Sequence, residues 1–204
     1  MNKPFCLLMI IFFVISFSNA SAGEDGWQLR KNEDGIKVYT KEKEDTHIYM
    51  YKVVTKISVK PEVVYRQVVD FRENLQYMKS VDSIRFLEHQ KDRRYINYMR
   101  LKMPWPVKNR EMVTEMLVTK GQNGIFIESN DLPEYLPKNP GTVRIEDFNE
   151  KWTIKEGINQ NESQITVTGW VDVGGSIPVW VVNLFIVNTP FRFISGIIQE
   201  VGKE

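Results

Sequence analysis

Cysteine and histidine are nearly missing from this chain. The one cysteine, Cys6, lies inside an N-terminal apolar run, and the two histidines are His47 and His89. A chain released from that run carries no thiol, so disulfides, thiolate catalysis and cysteine-ligated metals drop out. Two histidines so far apart make no ligand-spaced cluster, and neither a metal nor a cofactor is expected. A surplus of charge is missing as well, with 27 Lys+Arg against 26 Asp+Glu. Nucleic-acid binding needs a basic surplus to displace counterions, and anchoring to anionic membrane needs a polybasic cluster. Neither class fits. No repeat, low-complexity stretch or Gly/Ser/Pro linker divides the chain. There is no Gly-rich phosphate loop, no G-x-S-x-G and no H-E-x-x-H. What remains is ordinary globular material, 42% hydrophobic and 26% charged, of a length that suits one domain after the leader.

The leader sets the expected compartment. Lys3 is its only charge, Phe5 to Phe17 is an almost unbroken apolar run, and Ala20-Ser21-Ala22 reads as a cleavage site before Gly23. A spanning helix needs about 20 apolar residues, so a cleaved signal peptide over 1–22 is expected rather than an anchor. Residues 23–204 then form the exported domain, periplasmic or secreted.

Ile36–Lys41 and Ile48–Val59 read as strands, rich in Val, Ile, Tyr and Thr. Pro61 opens a helix, and Val64, Val68, Phe71 and Leu75 place one apolar stripe on it through about residue 78. Alternating segments follow at Ser83–His89, Arg94–Met103, Glu111–Lys120, Ile125–Ser129, Thr142–Asp147, Trp152–Lys155 and Gln164–Val173. The short turns between them imply an antiparallel meander. Period two puts Tyr95, Asn97, Met99, Leu101 and Met103 on one face, taken as inward. In the next strand Arg110, Met112, Thr114, Met116 and Val118 share a face, while Glu111 and Glu115 lie on the other.

The C-terminal part differs in kind. Val179–Val187 is apolar except for Asn183, and Phe191–Val201 is a second apolar stretch after Asn188-Thr189-Pro190. Asn183, Asn188, Pro190 and Arg192 argue against a membrane span. A long buried helix broken just before Pro190, packed on a curved sheet, is the prediction.

Three segments carry a family likeness. Trp27 with Asp34-Gly35-Ile36-Lys37-Val38-Tyr39-Thr40 resembles the opening of a START (steroidogenic acute regulatory protein-related lipid transfer) domain. Met103-Pro104-Trp105-Pro106-Val107-Lys108-Asn109-Arg110-Glu111 resembles that family's strand connection, and Asp172 to Asn183 resembles its last strand and the start of its final helix. The likeness runs from Trp27 to about Val201. It implies an α+β helix-grip fold, in which a curved antiparallel sheet wraps a long C-terminal helix around a hydrophobic tunnel. It also implies a non-enzymatic carrier of one lipid or other apolar small molecule, and a monomer is expected. The final helix would act as a lid, and transient membrane contact is compatible with that role. Some members pair the motif arginine, here Arg110, with an inward acid on the preceding strand. That strand offers Asn97 and Met99 instead.

The candidate ligand-binding residues are therefore Asn97, Met99, Met103, Trp105, Arg110, Met112, Thr114, Met116, Asn183 and Val187. Methionine is unbranched and polarizable, so the inward Met set conforms to an irregular guest, although such a set also fills ordinary cores. Arg110 either meets a headgroup, an acid or water inside, or is tied to Glu111 or Glu115 at a strand end. Trp105 lines the tunnel or caps a sheet edge. Asn97, Thr114 and Asn183 contact a guest or are satisfied locally. Two other functions stay open at this point: an enzyme on the same scaffold, such as a cyclase or hydrolase, and a ligand-free interaction module.

Overall fold

Alternating residues and tight turns generate one large sheet. The structure, a computed structural model, describes residues 24–44, 48–70, 73–159, 161–175, 177–178, 181–182 and 184–202. The expected leader lies outside the described residues, as do His47 and Asn183. The strands are β1 (Gln28–Glu33), β2 (Ile36–Glu42), β3 (Tyr49–Ile57), β4 (Val81–Gln90), β5 (Arg94–Leu101), β6 (Arg110–Gly121), β7 (Gly124–Asp131), β8 (Val143–Arg144), β9 (Asp147–Glu156) and β10 (Ser163–Asp172). Their order across the sheet is β1-β2-β3-β10-β9-β7-β6-β5-β4, and neighbours on that path are antiparallel. The exception is β8, a two-residue strand that runs parallel to β6 and pairs with Arg110 and Glu111. It takes up the edge of β6 that β7 leaves free beyond the Thr114–Asp131 pair.

β1 has no apolar alternation and does not figure in the sequence reading. It forms because Asp34 and Gly35, at φ 51° and 75°, make a two-residue hairpin loop closed by the Glu33–Ile36 pair. Asp-Gly is the residue pair that such a loop favours.

The first helix, α1 (Pro61–Val69), starts at Pro61 as expected and buries Val64, Tyr65, Val68 and Val69. It is shorter than the predicted stripe. Asp70 leaves helical geometry (φ −121°, ψ 74°), and a 3-10 turn over Glu73–Tyr77 brings Leu75 onto the core instead. Two valines followed by an aspartate are weak helix formers. At the other end, a π-helical turn (Leu184–Asn188) leads into α2 (Thr189–Val201), with Pro190 in its first turn. The predicted break before Pro190 is thus a widened turn, which accommodates a residue that cannot donate a backbone hydrogen bond. Gly196 of α2 packs directly on the Tyr77 ring, and Tyr77 Oη and Gln76 Nε2 both donate to Glu200 Oε1 at 2.9 Å. These contacts seat α2 across the concave face.

The two faces of β5 and β6 depart from simple alternation. The inward set is buried or half-buried, but Ile96, Tyr98 and Val113 on the opposite face are buried too, beneath Leu132 and Leu136. The β7–β8 connection folds back over that convex face. Its clamp is an ion pair between Glu111 and Arg144, whose side chains are each 1% exposed. Arg144 Nη2 donates to Glu111 Oε1 at 2.8 Å, and the rest of the fork reaches the carbonyls of Pro133, Leu136 and Pro137. Tyr98 Oη donates to Glu111 Oε2 at 2.9 Å and Asn139 N–H to Oε1 at 2.9 Å. Glu111 is therefore not a surface acid available to Arg110.

Burial pushes the Glu111 carboxyl up, but the donors around it together hold it below the usual carboxylate range. A carboxyl lowered on folding contributes stability above its unfolded pKa of about 4.3, and that contribution is lost as pH falls through the folded value. Glu111→Gln leaves Arg144 buried without its counter-charge and is expected to lower stability by about 3–5 kcal/mol near neutrality. Urea unfolding of both proteins as a function of pH checks this, and the gap between them should shrink in acid.

Candidate ligand-binding cavity

The concave face of the sheet is not filled by the helix that covers it. Between them lies a cavity of about 140 Å³. On that measure a water takes roughly 10–15 Å³, so the space accommodates on the order of ten small groups. Its walls are mostly apolar: Met78, Met99, Met112 and Met116, with Phe148, Trp152, Phe185 and Phe193. The C-terminal segment supplies Phe185, Thr189, Pro190 and Phe193.

Register explains how the inward residues meet. Tyr95 pairs with Met116, Asn97 with Thr114, Met99 with Met112 and Leu101 with Arg110. Cross-strand partners share a face, so the two candidate sets form one continuous wall. Among them Asn97, Met99, Met112, Thr114 and Met116 line the cavity. Asn97 is 1% exposed; its Nδ2 donates to Met116 Sδ at 3.3 Å, and its Oδ1 has no partner.

A second row of partners was not anticipated. It runs Tyr51 (β3), Gly169 (β10), Glu150 (β9), Ser129 (β7) and Met116 (β6). Gly169 carries no side chain, so the Tyr51 ring lies over it and donates from Oη to Glu150 Oε2. A Cβ at 169 would stand 2.8 Å from Tyr51 Oη and 2.5 Å from the Asn149 carbonyl oxygen. This is a mid-strand glycine placed for close approach. Trp152 Nε1 donates to Glu150 Oε1 at 2.7 Å. Burial pushes the Glu150 carboxyl up from its ordinary value, and the two donated hydrogen bonds offset part of that. Among the described residues no group of three or more His, Cys, Asp or Glu could hold a metal. No described helix is long and apolar enough to cross a membrane.

Comparison with known proteins decides the family. The START domain model matches residues 15–203. The chain belongs to the START domain family. An uncharacterized protein of Pseudomonas aeruginosa is 26% identical over 191 residues, covering 93% of each chain. The phosphatidylcholine transfer protein of Bos taurus is 25% identical over 181 residues, covering 85% of this chain and 83% of its own. Among solved structures, a STAR-related lipid transfer protein of Xanthomonas axonopodis is similar at TM-score 0.76 and 29% identity, over 86% of this chain and 98% of that one. The curved antiparallel sheet with its C-terminal helix is the helix-grip arrangement of these START structures.

Four START-derived candidates sit away from the cavity lining. Met103 is buried beside it, in a cluster with Leu101, Met112 and Ile145. Val187 packs half-buried against the main core. Trp105 stands 91% exposed at the Pro104–Pro106 turn, so it neither lines the cavity nor caps an edge. Arg110 is buried, but its Nε donates to the Val173 carbonyl at 2.9 Å, Nη2 to Gly174 at 2.8 Å and Nη1 to Lys108. Gly174 and Gly175, at φ 68° and 74°, turn the chain there from β10 toward the terminal segment. Arg110 thus fastens the end of the last strand to β6, and backbone carbonyls are its partners in place of an acid or a headgroup. Arg110→Leu is expected to lower stability by about 2 kcal/mol or more, since several carbonyls lose their donor at once. Urea unfolding measures it.

Proposed function

We propose that this START domain binds one lipid or other apolar small molecule in the cavity between sheet and terminal helix, and carries or holds it in the cell envelope. The observation that supports this most directly is the methionine-walled space itself, which an ordinary core would have filled. The relatives named for lipid transfer point the same way. The N-terminal leader supports export of residues 23–204, and with it a periplasmic or secreted location. The reading is of a monomeric carrier rather than an enzyme. Among the described lining residues there is one carboxyl and no histidine, which is a poor set for general acid/base work.

The present space is small for a two-chain lipid. A larger guest enters by displacing the segment from Phe185 to Phe193, where the π-helical turn meets α2. Trp105 supplies a point of transient membrane contact. It is an exposed tryptophan between prolines, flanked by exposed Lys102 and Lys108, and indole rings favour the lipid–water interface.

Native mass spectrometry of protein incubated with phosphatidylcholine vesicles containing monopalmitoylglycerol is expected to show a one-to-one lipid adduct. Met112→Trp is expected to abolish that adduct with a modest loss of stability. A stability loss of roughly 1–3 kcal/mol with no adduct in either protein would identify a filled core instead. Trp105→Ala is expected to weaken co-sedimentation with vesicles several-fold and leave the melting temperature unchanged; equal sedimentation of both proteins would remove Trp105 from membrane contact.

A further inference from the structure

The polar lining of the cavity is one-sided. Among the described residues that form it there is a single carboxyl, Glu150, and no arginine, lysine or histidine. Arg110, the register partner of the lining residue Leu101, is held by three backbone carbonyls. Arg144 is committed to Glu111 on the far side of the sheet. A phosphate or carboxylate brought into this space would meet no counter-charge and would face Glu150. Burying an anion without compensation costs several kcal/mol or more.

The polar atoms that do face inward ask for donors. Asn97 Oδ1 is buried and unpartnered, while the amide nitrogen of the same side chain is engaged with Met116 Sδ. Glu150 receives one hydrogen bond at each oxygen, from Tyr51 and Trp152, and among the described residues no cation pairs with it. A carboxylate has about four acceptor positions, so two donors leave it with capacity to spare. Burial also pushes this carboxyl up, the mark of a charge that its surroundings compensate poorly. The Tyr51 hydroxyl and the Trp152 N–H need an acceptor here, but a neutral amide oxygen could accept from both without a charge. The positions flanking it in register, Gly169 and Ser129, are small and carry no charge.

We propose that Glu150, seated over Gly169 by Tyr51 and Trp152, is the headgroup anchor of the cavity, and that the cavity selects an apolar molecule whose polar end donates hydrogen bonds and bears no negative charge. Alcohols, amides and amines belong to that class; phosphate- and carboxylate-headed lipids do not. Asn97 on β5, three strands from β9 along the same wall, offers a second acceptor. The inference rests on the carrier reading and narrows it.

The test uses three single-chain probes of one length: monopalmitoylglycerol, hexadecylamine and palmitic acid. Affinities are read by displacement of an environment-sensitive fluorophore from the purified protein, alongside native mass spectrometry with phosphatidylcholine vesicles. The alcohol and the amine are expected to bind at least about ten-fold more tightly than the acid, a difference of about 1.4 kcal/mol. Glu150→Gln is expected to weaken amine binding about ten-fold or more, to weaken alcohol binding less, and to hold or raise the melting temperature of the free protein. Palmitic acid binding as tightly as the other two overturns the assignment. So does a Glu150→Gln protein that melts lower yet binds all three probes as before, because the carboxyl is then purely structural. If the variant does not fold, the ranking by the unaltered protein still decides. Uptake of phosphatidylcholine without any preference among the probes leaves the carrier standing and removes the anchor. Binding of no probe and no vesicle lipid removes both.

Discussion

A concave sheet lined with apolar residues cannot stay hollow in water unless something closes it without filling it, and the rest of this fold answers to that constraint. The terminal segment lies across the concave face and is seated by Gly196 against Tyr77 and by Glu200 beneath Tyr77 and Gln76. Its contribution to the wall is four residues, Phe185, Thr189, Pro190 and Phe193, which reach the cavity without occupying it. On the carrier reading, a guest of suitable shape would remove from water the apolar wall that the open side of the cavity leaves exposed, and that burial would drive its uptake.

One region of the sheet is double-sided, which adds a small outer core to the main one. β5 and β6 bury both faces: methionines and Asn97 toward the cavity, Ile96, Tyr98 and Val113 toward the β7–β8 connection. The Glu111–Arg144 pair holds this outer layer. Glu111 accepts from Tyr98 and Asn139 as well as Arg144, and Arg144 reaches carbonyls of Pro133, Leu136 and Pro137, so the buried charges are compensated at nearly every polar atom. The pair holds the β7–β8 connection against the convex face of these two strands.

Much of this was legible in the residues. Period two on β5 and β6 placed Asn97, Met99, Met112, Thr114 and Met116 on the inward face, and the structure brings these five together around one cavity. Pro190 announced its break. Other features depend on partners distant in sequence. Glu111 looked like a surface acid because nothing local shows that residues 132–144 return to cover it. Arg110 stayed open between a headgroup contact and a tied strand-end arginine because its strand position alone cannot show that the Val173 and Gly174 carbonyls arrive beside it. Glu150 lies just ahead of Trp152–Lys155, the part of this strand that the local sequence makes plain. The alternation Phe148, Glu150, Trp152, Ile154 begins earlier, and extending it would have put an acid on the inward face.

Gly169 shows how that acid is seated. A glycine inside a strand weakens it, and a carboxyl on an apolar wall is costly. Here the two meet at one place: Gly169 makes room for the Tyr51 ring, the ring holds Glu150, and Glu150 lines the cavity. A Cβ at 169 would crowd the Tyr51 hydroxyl and the Asn149 carbonyl, and an apolar residue at 150 would leave the Tyr51 hydroxyl and the Trp152 N–H without their acceptor, so these positions hold together as a unit. On the carrier reading, that unit puts a hydrogen-bond acceptor on an apolar wall, where the polar end of a guest would meet it.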